Sequence, residues 1–154
     1  MNNKGFSLIE VLLSVFIITV AVLGLYNGIN YSYNSIEKAK EKFIASYLAE
    51  EGIELVKNLR DSNYIANVSW NNGLTACTVG CKIDANDSAL DATTPTTPLL
   101  IDANGFYSYN SGTQTIFSRK IVITSIAAHK IKVSVTVYYG DEEFLLEQYL
   151  YDWK

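Results

Sequence analysis

The chain has 154 residues, a net charge of −4, two cysteines, one histidine and two prolines. That length builds one domain with a modest core. The acidic balance argues against nucleic acid as the main partner, and so little cysteine and histidine leaves scant material for metal clusters or Cys/His catalysis.

Hydrophobicity is concentrated at the front. From Phe6 to Leu25 there are 20 residues, and Glu10 is the only charged one. As a helix rising about 1.5 Å per residue, this run spans roughly 30 Å, the hydrocarbon thickness of a bilayer. Lys4 and the chain's amine precede it, so the positive-inside tendency keeps the N-terminus cytoplasmic and the remainder outside. Outside the cytosol a Cys77–Cys81 disulfide becomes feasible. A secretory signal peptide fits the positive start but not the long apolar run, the acid within it or the missing A-x-A-like site. A plain single-pass anchor explains length and orientation but leaves Glu10 without a role, although an intramembrane acid costs about 2.5–3.5 kcal/mol.

The stretch Lys4-Gly5-Phe6-Ser7-Leu8-Ile9-Glu10 resembles the type III signal of type IV pilins and type II secretion pseudopilins. The resemblance implies that a membrane peptidase, the prepilin peptidase and N-methyltransferase, cuts between Gly5 and Phe6 and methylates the new amine of Phe6. Glu10 then takes the fifth position of the mature chain, where the family places its glutamate. The physical reading agrees. Glycine leaves room for close approach to the backbone. The cut creates an ammonium at the depth of the Glu10 carboxylate, and opposite charges attract strongly in low dielectric. Residues four apart on one helix can meet; the family favours pairing between neighbouring subunits. Many major pilins carry a proline within this segment, and this one has none. It has Gly24 and Gly28 instead, read either as a close-packing or stretchable point or as two tolerated glycines near the membrane exit.

Beyond the membrane half, Tyr26, Tyr31 and Tyr33 suit the bilayer interface. Glu37 to Lys42 reads as a solvated charged face. Ile44, Leu48, Leu55 and Leu59 recur at helical spacing with Gly52 on the same stripe, flanked by Phe43, Tyr47 and Val56. One long helix is therefore expected, ending at Asp61-Ser62-Asn63. Glu50, Glu51 and Glu54 read as solvent-facing helix charge. Residues 62–114 form a polar connector with short strands around Val79–Ile83, Leu99–Ile101 and Phe106–Tyr109. A strand is expected over Ile116–Ile126, then a turn at Ala127 to His129. Lys130 to Tyr139 alternates strictly, with Ile131, Val133, Val135, Val137 and Tyr139 facing one way. Gly140-Asp141 turns the chain into a third strand, Glu143 to Tyr151.

Cys77 and Cys81 are expected to close a small structural loop, with zinc, redox and free-thiol states as alternatives. A disulfide this local stabilises less than one closing a large loop. Asp84-Ala85-Asn86-Asp87-Ser88 partly matches a calcium loop, but Ala89 stands where glycine is needed and Pro95 where the bidentate glutamate belongs. Some secretion pseudopilins bind calcium, which keeps that alternative, but a solvated loop is the expected reading. Trp70 and Trp153 can be core or interface residues, and His129 reads as an exposed turn residue.

The resulting expectation is an α+β pilin fold: a long N-terminal helix laid on a C-terminal antiparallel sheet. Its parts are a leader (1–5), a transmembrane and assembly half (6–25), an amphipathic half (26–61), a connector (62–114) and a β meander (115–154). The expected function is a pilin-like, minor-type structural subunit of a cell-surface filament, with no cofactor, no metal and no catalytic residues. The Phe117-Ser118-Arg119 and Tyr149-Leu150-Tyr151-Asp152-Trp153 stretches look like minor-pilin domains. Expected partners are the peptidase, other pilin or pseudopilin subunits, the inner-membrane assembly platform, and membrane lipid before assembly. The alternatives are a secretion or DNA-uptake pseudopilin and a membrane-anchored binding module.

Overall fold

The computed structural model describes residues 7–91 and 97–153. Gly5, Phe6 and Pro95 lie outside the described residues. The chain divides into two compact units, residues 1–40 and 41–154. Helix α1, Leu8–Ile65, begins in the first and ends in the second.

From Val11 to Tyr26 α1 carries apolar side chains on all sides. Every large apolar side chain from Leu8 to Ile36 is more than half exposed. The helix is long and apolar enough to cross a membrane. Ser14 and Thr19 turn their hydroxyls back onto the carbonyls of Glu10 and Val15, at 2.7 Å each. That satisfies their polarity inside the helix, as an apolar surrounding requires.

In the second unit one face of α1 is buried through Ala45, Leu48, Ala49, Gly52, Ile53, Val56 and Arg60. Each of these residues has another three or four positions away, so they share a stripe. Val56, read from sequence as a flank, is fully buried, whereas Leu55 and Leu59 pack only partly against the core. The difference arises because the stripe is set by small residues. At Gly52 an added Cβ would lie 2.9 Å from Val135 Cγ1 and 3.1 Å from Arg119 Cδ, so helix and sheet meet closely only with glycine there.

The helix runs past Asp61-Ser62-Asn63, the expected stop. Two of these side chains find other partners: Asp61 accepts from Arg60 Nε at 2.9 Å, and Asn63 Nδ2 donates to the carbonyls of Trp70 and Asn72. The helix ends instead at Ile65, just before Asn67, whose φ of 54° is the left-handed conformation that asparagine tolerates past a helix C-terminus.

The covering sheet has the order β4-β5-β6, all antiparallel, with β4 Phe117–Ala127, β5 Lys130–Tyr139 and β6 Glu142–Tyr151. Alternation fixes its faces. Phe117, Arg119, Ile121 and Ile123 of β4 and Ile131, Val133, Val135, Val137 and Tyr139 of β5 point to the core. Gly140, at φ 56°, and Asp141 make the two-residue turn into β6. The free edge of β4 is closed by the connector: Cys81 and Ile121 exchange both backbone bonds, at 2.8 and 3.0 Å, and Leu99 N–H donates to Phe117 O at 2.7 Å.

The connector forms a second small sheet, ordered β2-β1-β3, from β1 Leu100–Ile101, β2 Tyr107–Ser108 and β3 Thr113–Gln114. The strand expected at Val79–Ile83 is only two isolated bridges, Cys81 to Ile121 and Lys82 to Asp91. The Cys77–Cys81 loop bends the chain there and leaves little length to pair. Trp70 is a core residue, while Trp153 is exposed and stacks on Tyr64 at 5.3 Å with Arg60 3.9 Å over its ring.

Candidate functional site

The candidate residues fall on two units. On the first, Glu10 sits in the opening turn of α1, where its backbone N–H donates to Ser7 O at 3.0 Å. A carboxylate there meets the positive end of the helix dipole. Among the described residues its side chain has no hydrogen-bond or ion-pair partner and is exposed. Gly24 and Gly28 lie one turn apart on the same helix, and an added Cβ at either would meet nothing within 4 Å. With Leu25, Ile29, Ser32 and Tyr33 they line a shallow groove of about 520 Å³. The absent side chains create the groove.

On the second unit a disulfide joins Cys77 and Cys81, both buried in the core. It holds the connector where Ile123 N–H donates to Cys77 O at 2.7 Å. Next to it Asp84 is fully buried. Its Oδ1 accepts Asn86 N–H at 2.9 Å; its Oδ2 accepts Tyr109 N–H at 3.0 Å and Asn110 Nδ2 at 3.2 Å. Asp87 Oδ2 in turn accepts Asp84 N–H at 2.9 Å. The stretch with calcium-loop spacing is therefore an internally hydrogen-bonded turn. It is not the simple solvated loop that its polarity implied, because burial of Asp84 demands these donors. Among the described residues no three His, Cys, Asp or Glu side chains stand together as a metal site would need.

Arg119 is the residue the sequence reading missed. It is fully buried, and Nη1 donates to Leu48 O and to Glu51 Oε2 at 3.0 Å each, while Nη2 donates to Ile83 O at 2.7 Å. One guanidinium thus ties helix, sheet and connector. Glu51 is accordingly a bound counter-ion rather than a solvated helix charge; Glu50 and Glu54 remain exposed. The available signal was parity: Arg119 shares the inward register of Phe117 and Ile121. Burial lifts the Tyr109 phenol above its ordinary value, with Arg119 opposing, so it stays a donor to Arg119 O at 3.2 Å. At the far end of the unit Asp152 accepts from Tyr64 OH at 2.7 Å and lies 3.1 Å from Nδ1 of His129, an exposed turn residue.

These contacts tie the helix, the sheet and the connector of the second unit together. No curated protein and no solved structure matches the chain. Residues 1–26 do match the family described as the prokaryotic N-terminal methylation motif. The chain thus carries the prepilin-type signal of type IV pilins and pseudopilins, the mark of a structural precursor processed by prepilin peptidase and assembled with other pilin subunits.

Proposed function

We propose that this chain is a minor-type subunit of a type IV pilus or a closely related filament. The observation that carries the reading is the methylation motif at residues 1–26, which opens a helix whose large apolar side chains from Leu8 to Ile36 are all more than half exposed. Residues 1–5 are the leader. The cut falls between Gly5 and Phe6, Phe6 is methylated, and residues 6–25 are the transmembrane and assembly half. Before assembly this half lies in lipid, with the N-terminus cytoplasmic and residues 26–154 outside, where a disulfide survives. The assembly platform of the inner membrane then extracts the subunit into the filament.

Glu10 is the assembly contact. Its carboxylate costs about 2.5–3.5 kcal/mol at mid-membrane on insertion scales. The ammonium released at Phe6 of a neighbouring subunit offsets that cost and sets the axial step. Gly24 and Gly28 give neighbouring helices room to approach.

Two measurements test this. Mass spectrometry of the mature protein in a host with active peptidase should give N-methyl-phenylalanine at Phe6; an intact Met1 would make a membrane-anchored module the better account. Glu10→Ala should be cut normally yet enter filaments poorly, and normal incorporation of that variant would remove the assembly role.

A further inference from the structure

The second unit contains a groove that the proposed assembly contacts do not use. It encloses about 500 Å³, within the range of roughly 300–1,000 Å³ typical of small-molecule sites. Its walls are Glu51 of α1, Asn86 of the 84–88 turn, and Asp102, Phe106, Tyr107 and Asn110 around the β1–β2 hairpin.

Phe106 stands at the rim and is 71% exposed. The turn that presents it is braced. Asp102 Oδ1 accepts Asn104 N–H at 2.8 Å and Phe106 N–H at 2.9 Å, and Asp102 N–H donates to Phe106 O at 3.0 Å. Behind it the chain is tight, since an added Cβ at Gly112 would collide with Ile101 O. The opposite wall is fixed by the buried Asp84, which holds the backbone of Asn86 and both the backbone of Tyr109 and the side chain of Asn110. A buried carboxylate is costly; this one locks together the two polar segments that line the groove. Asn110 gives its Nδ2 to Asp84 and keeps its Oδ1 as an acceptor. Glu51 is neutralised by Arg119.

The groove therefore offers one exposed aromatic face and a set of rigid amide and carboxylate groups. A phosphorylated ligand would be repelled by the carboxylates. A divalent cation would find Asp102 alone, with Glu51 already paired. A sugar ring fits both chemistries at once: its C–H face stacks on an aromatic ring while its hydroxyls donate to and accept from amides and carboxylates. Because both walls are held before any ligand arrives, little ordering is needed on binding.

We propose that this groove binds a neutral saccharide of one or two rings, with Phe106 as stacking platform and Asn86, Asp102 and Asn110 as hydrogen-bond partners. This stands apart from the filament reading and does not depend on it. The test uses the full isotope-labelled chain in phosphocholine micelles, which carry no sugar headgroup. Lactose, maltose and di-N-acetylchitobiose are titrated separately into the millimolar range. At least one should produce saturable amide shifts confined to residues 84–86 and 102–111. Phe106→Ala, an exposed position, should weaken that binding about tenfold, equivalent to about 1.4 kcal/mol, while Phe106→Tyr retains it. Absence of saturable shifts with all three sugars, shifts centred elsewhere, shifts with calcium chloride instead, or an unchanged affinity in Phe106→Ala would each overturn the proposal.

Discussion

Arg119→Met probes the charge at the centre of the second unit. Methionine keeps most of the length and the apolar stem but removes three hydrogen bonds, to Leu48 O, Glu51 Oε2 and Ile83 O. Bonds to a charged group contribute about 1.5–3 kcal/mol each, so a simple sum is an upper bound of roughly 4.5–9 kcal/mol. Three features lower it. Leu48 O retains the bond that α-helix geometry gives it. Glu51, with its side chain 35% exposed, turns to water. The burial of the guanidinium, including its unpartnered Nε, is relieved. What remains is Ile83 O, stripped of its donor inside the core, and the lost link between three elements. A net loss of about 2–4 kcal/mol follows. For a unit of this size that lowers the melting temperature by roughly 10–20 °C. Thermal unfolding of the full chain in micelles, followed by near-ultraviolet circular dichroism of the buried Trp70, measures it. Glu51→Gln, which keeps one acceptor oxygen, should cost only about 1 kcal/mol. A variant Arg119→Met melting within about 2 °C of the parent, or a Glu51→Gln more damaging than Arg119→Met, would refute the argument.

Reducing the Cys77–Cys81 bond should cost about 2 kcal/mol, the chain-entropy value for so short a loop; the denaturant midpoint under reducing and oxidising conditions gives the difference, and no change would mean the connector is held by its backbone bonds alone. The Lys132–Glu147 pair, 3.0 Å apart on the outer sheet face, should shape the pH profile. Hydrogen bonds from Lys132 and then Ser134 hold the Glu147 carboxyl below its ordinary value, and Glu147 raises Lys132. The stabilisation from Glu147 is present above the ordinary glutamate range and is lost as pH falls through the lowered value. That from Lys132 is present below the ordinary lysine range and is lost as pH rises through the raised one. Glu147→Gln should flatten the stability profile at both ends, and a profile parallel to the parent's at either end would contradict the pairing.

The sequence was most readable where one period ran without interruption. Lys130 to Tyr139 alternates over its whole length, and β5 occupies those residues with Ile131, Val133, Val135 and Val137 fully buried. The helix was readable for the same reason, but its end was not. Asp61-Ser62-Asn63 has turn chemistry, and whether it stops a helix depends on whether those side chains find other partners, which they do at Arg60 and in the loop at Trp70 and Asn72. The connector was least readable. Its strands are two residues long, too short to display any period, and they pair only with one another.

The charged residues show the sharper limit. Parity says that Arg119 faces inward; it does not say that a glutamate 68 positions earlier and a carbonyl of the connector will be there to receive it. The same holds for Asp84, whose donors at Tyr109 and Asn110 lie 25 and 26 residues away. Each of these buried charges is compensated inside the chain, as burial demands. Glu10 differs: among the described residues its carboxylate has no partner, although it stands on an apolar helix of membrane-spanning length. A carboxylate that no described residue balances, in surroundings where compensation matters most, suits the proposed partner on a neighbouring subunit. The buried Asp84 and Arg119 are answered by described residues and Glu10 is not, and that contrast supports the proposed pairing with a neighbour's processed Phe6.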